Sequence, residues 1–361
     1  MKAKALDLWY AGYRQSLKRT RNLPAPTDLF IAVCDHFEPF HDADRKEAFQ
    51  RLDRWERQLS DLTSRFKDAD GIPPRHTFFY PIEQYDDEVL KTITAMCERT
   101  GAEVELHFHH DQDTFENTQS MLLKGIEDFS RHGHLCTDTS GRKRYGFVHG
   151  NWALANSHPD GKGCGIIGEL GLLRSTGCYA DFTLPSAPER TQVRTVNSIY
   201  YAKETHLPRP HEQGERIHQG VTSPLREEQD HLLLVQGPLG LNWKRRKLFV
   251  LPRIENSDLT GANPPTLDRL ALWSHLAPFV EGRPEWRFIK LHTHGALPRN
   301  SPSLIGDPAI RFHSALADRP GGAPRIHYVS AREMVNVIHA AEDNASLSIP
   351  EARDYLFKLR K

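Results

Sequence analysis

The stretch Ala102-Glu-Val-Glu-Leu-His-Phe108, followed by His109-His110-Asp111, decides the fold. Its apolar character predicts a buried strand, in which alternate side chains share one face. His107 and His109 then point the same way, and Asp111 lies just beyond the end of the strand. Segments with helical periodicity precede and follow this strand. A strand between two helices is typical of parallel strands that are joined by crossover connections.

The same alternation extends along most of the chain. Six further strands are predicted, at 28–34, 76–80, 145–149, 178–182, 286–292 and 325–329. Helices are predicted at 42–66, 87–99, 114–132, 169–175, 266–280, 308–317 and from 330 onward. This order predicts an α/β protein, with either a barrel or an open sheet.

Residues 183–265 interrupt the alternation. They are rich in Pro and Gly and contain strand-like segments at 231–235 and 247–251. We interpret them as an elaboration of hairpins and loops on one domain that spans 1–361.

Composition limits the classes of function. Lys plus Arg and Asp plus Glu both number 47, so the formal net charge is zero, and nothing steers toward nucleic acid or an anionic membrane. Five cysteines without a Cys-x-x-Cys pair argue against a disulfide framework and fit a reduced, cytoplasmic setting. The sequence contains neither a secretory signal nor an apolar stretch of the ~18 residues that a spanning helix needs.

Histidines and carboxylates gather where the predicted strands end. Asp35-His36 follows the first strand, and His107, His109 and Asp111 end the third. In barrels and doubly wound sheets the chemistry lies at these carboxyl ends. Imidazole and carboxylate groups are also the usual ligands of a divalent transition metal. The pattern therefore indicates a metal site in which Asp35 is a ligand or a general base.

Other strand ends offer further candidates. His149-Gly-Asn151-Trp152 combines hydrogen-bonding groups with an aromatic platform, and Asp181 ends a later strand. His292 and His294 flank a threonine after the strand at 286–292, where they could serve as general acid, general base or metal ligands.

The order of these segments resembles the polysaccharide deacetylase family, carbohydrate esterase family 4. The stretch Val33-Cys-Asp35-His36-Phe-Glu38 lies where that family has Thr-Phe-Asp-Asp-Gly, and His107 lies at the first His of its His-(Ser/Thr)-x-x-His motif. Asp111 stands at the second His of that motif. The segment 169–185 and the stretch that ends at His292 are similar to later motifs. The resemblance covers 28–182 and 266–342, in order and position more than in identity.

The resemblance implies a distorted (β/α) barrel of about seven parallel strands and a metal-dependent hydrolase that deacetylates an N-acetylated sugar or glycan. It implies Asp35 as the base and His292 as the general acid. The metal, Zn²⁺ or else Co²⁺, Ni²⁺ or Mn²⁺, is expected on His36, His107, His109 and Asp111. The carbohydrate is expected to meet five other residues, His149, Asn151, Trp152, Asp181 and His294.

Three alternatives remain open from the residues. His-x-His pairs also suit an amidohydrolase or phosphoesterase with two or three metals. A glycoside hydrolase on a similar barrel would pair two carboxylates, here Glu38 and Asp181. A barrel that binds a glycan without catalysis is the third.

Overall fold

A computed structural model describes residues 3–248 and 250–359 and contains alternating strands and helices. The strands are β1 (Asp28–His36), β2 (Thr77–Pro81), β3 (Glu103–Phe108), β4 (Cys136–Thr137), β5 (Lys143–His149), β6 (Cys178–Asp181), β7 (Ile199–Lys203), β8 (Glu215–Arg216), β9 (His231–Val235), β10 (Gly240–Lys247), β11 (Leu251–Glu255), β12 (Trp286–Thr293) and β13 (Arg325–Tyr328). The α-helices are α1 (Leu6–Thr20), α2 (Arg45–Arg65), α3 (Asp87–Thr100), α4 (Phe115–Arg131), α5 (Glu169–Thr176), α6 (Leu267–Leu276), α7 (Pro302–Ile305), α8 (Asp307–Ala317), α9 (Ala331–Glu342) and α10 (Ile349–Ala352).

One large sheet organises the molecule. Its strands follow the order β12-β1-β2-β3-β5-β6-β9-β7-β8, and neighbours from β12 to β9 run parallel. β13 pairs in parallel with the first half of β1, while β7 and β8 are antiparallel additions. The predicted α/β class is confirmed, and the seven strands predicted from the sequence are all present.

The segment 183–265 differs from its interpretation as a surface elaboration. β9 lies within it, yet β9 joins the main sheet beside β6, and Leu232, Leu233 and Leu234 are all buried. A continuous apolar run of this kind is typical of a strand that is covered on both faces. Only the antiparallel hairpin of β10 and β11 forms a separate two-stranded sheet. Phe249, in the predicted strand at 247–251, lies outside the described residues.

Both faces of the sheet are buried. On β1, Leu29 and Ile31 pack toward α2 and α3, whereas Phe30, Ala32 and Cys34 pack in a second cluster with the residues of α9. Helix α9 is buried along its whole length. Among the described residues, no helix combines the length and hydropathy needed to cross a membrane.

The start of β1 contains a pH-sensitive ion cluster. Asp28 is buried, and its Oδ1 accepts hydrogen bonds from His327 Nε2 and Arg325 Nε, both at 2.8 Å. Burial alone would raise the pKa of Asp28, but these bonds outweigh it and lower the pKa from 3.8 to about 2. A carboxyl group whose pKa is lower in the folded state stabilises the fold above its unfolded pKa, and this stabilisation is lost as the pH falls.

We therefore expect Asp28→Asn to reduce the free energy of unfolding at pH 7 by about 2 kcal/mol. The difference from the wild type should close as the pH falls from 3.8 towards about 2, because the carboxyl group of the unfolded chain takes up its proton over that interval while the folded carboxylate keeps its charge down to about pH 2. Urea unfolding of both proteins at several pH values across this range measures the difference in the free energy of unfolding. A difference that stayed constant with pH would contradict the assignment.

Candidate metal centre

Five imidazole rings converge at the carboxyl ends of β1, β3 and β12. The ring of His36 lies 4.8 Å from those of His107 and His294, and 6.5 Å from that of His292. The rings of His107 and His109 are 4.5 Å apart. The register brings these residues together, since Cys34 on β1 pairs with His292 on β12 and β3 lies two strands away.

The carboxylate of Glu38 completes this cluster. Its Oε1 lies 3.3 Å from Nε2 of His107 and 2.9 Å from Nε2 of His109. Four-coordinate zinc with bonds of about 2.0–2.1 Å separates its ligand atoms by about 3.3 Å. The three atoms are therefore spaced as ligands of one ion, and the three residues form a group that could hold a metal.

Hydrogen bonds on the far side of both rings fix which nitrogen carries the proton. Nδ1 of His107 lies 3.1 Å from the carbonyl oxygen of Val148, and Nδ1 of His109 lies 2.6 Å from Oε1 of Glu83. A carbonyl or carboxylate oxygen only accepts, so each Nδ1 donates and each Nε2 faces Oε1 of Glu38. Three atoms that could ligate a metal therefore meet at one point, and a metal ion there would take the place of the proton that Nε2 of His109 shares with Glu38. A carboxylate that orients a ligating histidine, as Glu83 does, is the usual outer partner in zinc sites.

The electrostatics favour positive charge at this point. Burial alone would raise the pKa of Glu38, but its bonds to His107 and His109 hold the pKa well below the ordinary range. Burial would lower the pKa of His109, yet Glu38 and Glu83 raise it to about 9. Glu38 is thus an anion at neutral pH, and the group attracts a cation.

His36 offers a further ligand. The side chain is fully buried, and neither ring nitrogen has a hydrogen-bond partner among the described residues. Burial, followed by the nearby His107 and His294, lowers the pKa of His36 well below its ordinary value. A neutral imidazole with two unpartnered nitrogens, beside three convergent ligand atoms, fits a metal ion.

Trp152 covers this cluster from the loop after β5. Its ring stacks on His36 at 4.6 Å and meets His292 edge-on at 5.0 Å. Its φ of 61° lies in the left-handed region, which costs a non-glycine residue about 1–3 kcal/mol. The surrounding contacts therefore hold the indole in place over the imidazoles.

His292 is a further buried imidazole of this cluster with an unpartnered ring nitrogen. Its Nδ1 has no hydrogen-bond partner among the described residues, and its backbone is held by Ser257 and Leu259 on a neighbouring extended segment. Burial, followed by the charge of Lys290, lowers the pKa of His292 well below its ordinary value. His292 is accordingly neutral at pH 7.

Asp35 lies differently from its expected position as a base beside the metal. Side chains alternate along β1, so Asp35 points away from the face that carries His36. Its Oδ2 pairs with Nε2 of His76 at 2.9 Å, and its Oδ1 accepts the backbone N–H of Gly295 at 2.6 Å. Asp35 thereby anchors the turn that follows His294.

His149 and Asn151 belong to a neighbouring cluster around Glu169. Nε2 of His110 lies 3.0 Å and Nε2 of His149 lies 3.7 Å from Oε1 of Glu169, a second group that could hold a metal. Here, however, Nδ1 of His149 accepts the backbone N–H of Asn151 at 3.2 Å, which leaves the proton on Nε2. Among the described residues Nε2 of His149 has no hydrogen-bond partner, whereas Nε2 of His110 lies within hydrogen-bond distance of Glu169.

The remaining predicted residues lie apart from the ligand group. Asp111 is exposed and contributes no atom to either histidine cluster. Asp181 is buried and accepts hydrogen bonds from Thr183 N and Oγ1, while burial raises its pKa to about 7. Lys290, which the sequence analysis did not select, is fully buried, and no residue that the structure describes forms a hydrogen bond with its Nζ. Burial lowers the pKa of Lys290 to about 8.

The sequence analysis did not assign two carboxylates to this candidate site. Glu38 was considered only as half of a glycoside hydrolase pair, and Glu83 was not considered. Both follow the ends of strands, in Asp35-His36-Phe-Glu38 and Tyr80-Pro-Ile-Glu83. That position is the signal that could have found them.

Comparison with known proteins adds no assignment. The chain matches no family model, and the search of curated proteins returned no significant match.

Proposed function

We propose that this protein is a metal-dependent hydrolase that removes an acyl group, most simply acetyl, from an N-acylated sugar or glycan. The observation that supports it is the convergence of three potential ligand atoms, from Glu38, His107 and His109, on one point. Two imidazoles and a carboxylate suit Zn²⁺, with Co²⁺, Ni²⁺ or Mn²⁺ as substitutes. His36 is the fourth ligand in this proposal.

A metal bound there would acidify a water molecule and polarise an amide carbonyl. In this proposal, residues of the chain transfer the proton and position the sugar. Nδ1 of His292 accepts a proton and returns it to the leaving amine. Trp152 presents an aromatic surface to a sugar ring, and His294 lines the same opening. Asp35 is a positioning residue, which fixes the turn at Gly295 beside His294.

The proposal includes a barrel of seven parallel strands, β12-β1-β2-β3-β5-β6-β9. It is supported by the segment 257–259, which covers the free edge of β12 near its carboxyl end. There His292 N donates to Ser257 O at 3.1 Å, and Leu259 N donates to His292 O at 2.8 Å. The five free cysteines agree with a reducing compartment, and we propose the cytoplasm.

The test is acetate release from N-acetylated amino-sugar oligomers by protein that has been loaded with zinc. His292→Gln should lower kcat by about 10²–10⁴-fold, the usual contribution of a general acid or base, while metal content stays unchanged. Metal-loaded protein that releases no acetate from any N-acetylated sugar would exclude the deacetylase. The number of metal ions per chain separates this enzyme from a hydrolase that uses two or three.

Glu83→Gln tests the role of the carboxylate that accepts the hydrogen bond from Nδ1 of His109. We expect the affinity for zinc to fall about 10- to 100-fold, because the amide no longer fixes the ring of His109 as a charged acceptor does. Competition with a chromogenic chelator measures the affinity. Glu88→Gln on helix α3 is a matched control, since Glu88 pairs only with the exposed Arg45. An unchanged affinity in Glu83→Gln would show that Glu83 does not orient a ligand.

A further inference from the structure

The hairpin of β10 and β11 carries an apolar surface that the rest of the chain leaves uncovered. Leu248 is 82% exposed, Val250 67%, Leu251 60% and Trp243 56%. The pairing of the two strands shifts between Asn242 and Arg246, so Trp243 lies in a bulge. We call the residues 240–248 and 250–255 the basic hairpin.

The same hairpin is strongly cationic. Residues 240–254 contain five basic side chains and no Asp or Glu, namely Lys244, Arg245, Arg246, Lys247 and Arg253. Within the described ranges, only Lys244 of these five forms an ion pair, an exposed one with Asp268 at 2.6 Å. Arg245 bonds to the neutral groups of Asn263 and Ala262, and Arg246 bonds to the carbonyl of Trp243. The positive charge is therefore largely uncompensated.

A cavity of about 290 Å³ opens beside the hairpin. Arg245, Lys247 and Arg253 line it together with the amides of Asn242, Asn256 and Asn263. Of the two acids at its margin, Glu255 is held by Arg269 at 2.6 Å, and Asp258 also contacts Arg269 at 3.3 Å. Basic and amide groups around a cavity of this size suit a phosphate-bearing headgroup.

We propose that the basic hairpin docks on an anionic lipid bilayer. The lipid headgroups would lie against the cations and the cavity, while the apolar tip enters the boundary of the acyl chains. Peripheral proteins bind in this way through apolar side chains and basic residues together, and Trp is favoured at the interface. The finding that no described helix can span a membrane is compatible with surface binding of this kind.

Other occupants of the surface fit less well. A twofold contact between two copies would set the same five cations against each other, because such an interface is self-complementary. Nucleic acid offers phosphates but no apolar phase for Leu248, Val250 and Leu251. A bilayer offers both anions and an apolar phase. The proposal does not depend on the metal centre, and it can be tested on metal-free protein.

The experiment is flotation of the full chain with vesicles of phosphatidylcholine alone or mixed with phosphatidylglycerol. The wild type should bind only the anionic vesicles, and less at high salt. Arg246→Glu/Lys247→Glu should lower the partition coefficient about 30-fold or more, at a factor of about five for each cation. Leu248→Ser/Leu251→Ser should lower it at least about tenfold. In Trp243→Phe, the quenching of fluorescence by brominated acyl chains should decrease.

Matched variants carry the same changes elsewhere. Arg14→Glu/Lys18→Glu reverses two exposed cations on α1, and Leu123→Ser/Leu207→Ser alters two exposed leucines. Both should bind as the wild type does. The proposal is overturned if the wild type fails to bind anionic vesicles, even where inorganic phosphate binds the cavity. It is also overturned if the control variants lose binding equally, or if sedimentation shows a dimer that the hairpin variants dissociate and no vesicle binding.

Discussion

His107→Ala/His109→Ala should abolish the binding of a divalent transition metal, and the wild type should hold one ion in the group around Glu38. The double variant removes two of the three convergent ligand atoms and leaves the Glu38 carboxylate without its partners. Elemental analysis of protein equilibrated with zinc and then desalted measures the content. Isothermal titration of the metal-free wild type and double variant with zinc measures how much affinity for the metal is lost.

The control for this experiment is His218→Ala/His275→Ala. Both histidines are exposed and lie outside the groups that could hold a metal, so the control removes the same number of imidazoles. Circular dichroism verifies the fold of each protein. Equal metal content in the two double variants would contradict the site. If the metal persisted in His107→Ala/His109→Ala but disappeared in Glu169→Gln, the metal site would be the neighbouring cluster around Glu169.

Arg269→Met should lower the free energy of unfolding by about 3–5 kcal/mol, the cost of leaving a buried charge without its partner. Arg269 is 1% exposed, and its guanidinium bonds to both oxygens of Glu255 at 2.6 and 3.0 Å. It also donates to the carbonyl oxygens of Asn263 and Asp258, both at 2.6 Å. Methionine fills a similar volume but carries no charge. The buried carboxylate of Glu255 is then left without an ion-pair partner among the described residues.

Urea unfolding at neutral pH measures this loss. Arg65→Met is the matched control, because Arg65 pairs with Asp61 at 2.6 Å on the exposed face of α2. Exposed pairs of this kind contribute about 0.3–0.5 kcal/mol. If the two variants lost similar stability, the network around Arg269 would not be holding the segment that runs beside His292. Arg269→Met/Glu255→Leu should recover part of the loss, since it removes the isolated charge as well.

Most of the residues that the resemblance to polysaccharide deacetylases selected lie close together in the structure, but not all of them do. His36, His107, His109, Trp152, His292 and His294 come together, as expected from their positions at strand ends. Asp35 was expected to face the same site because it adjoins His36. Adjacent residues on a strand face opposite sides, and this alternation turns Asp35 toward His76 instead.

The functional role of a carboxylate depended on contacts that the sequence does not specify. Glu38 and Glu83 lie 45 positions apart in the chain, and both meet His109 in the structure. The same holds for the orientation of each imidazole. Nδ1 of His107 donates to the carbonyl of Val148, and Nδ1 of His149 accepts a backbone N–H, and neither contact can be read from the local sequence.

The sequence by itself determined the alternation of strands and helices, and with it the edge of the sheet where the histidines gather. These properties follow from local periodicity and from the rule that parallel strands end on one side. Only the tertiary structure decided that β9 joins the main sheet, that Asp35 anchors a turn and that Glu38 completes the ligand group. It also decided that, in the described part of the chain, four of the five cations of the basic hairpin form no ion pair beside an exposed apolar tip. Each of these depends on pairing or burial between residues that are distant in the chain, which local patterns do not encode.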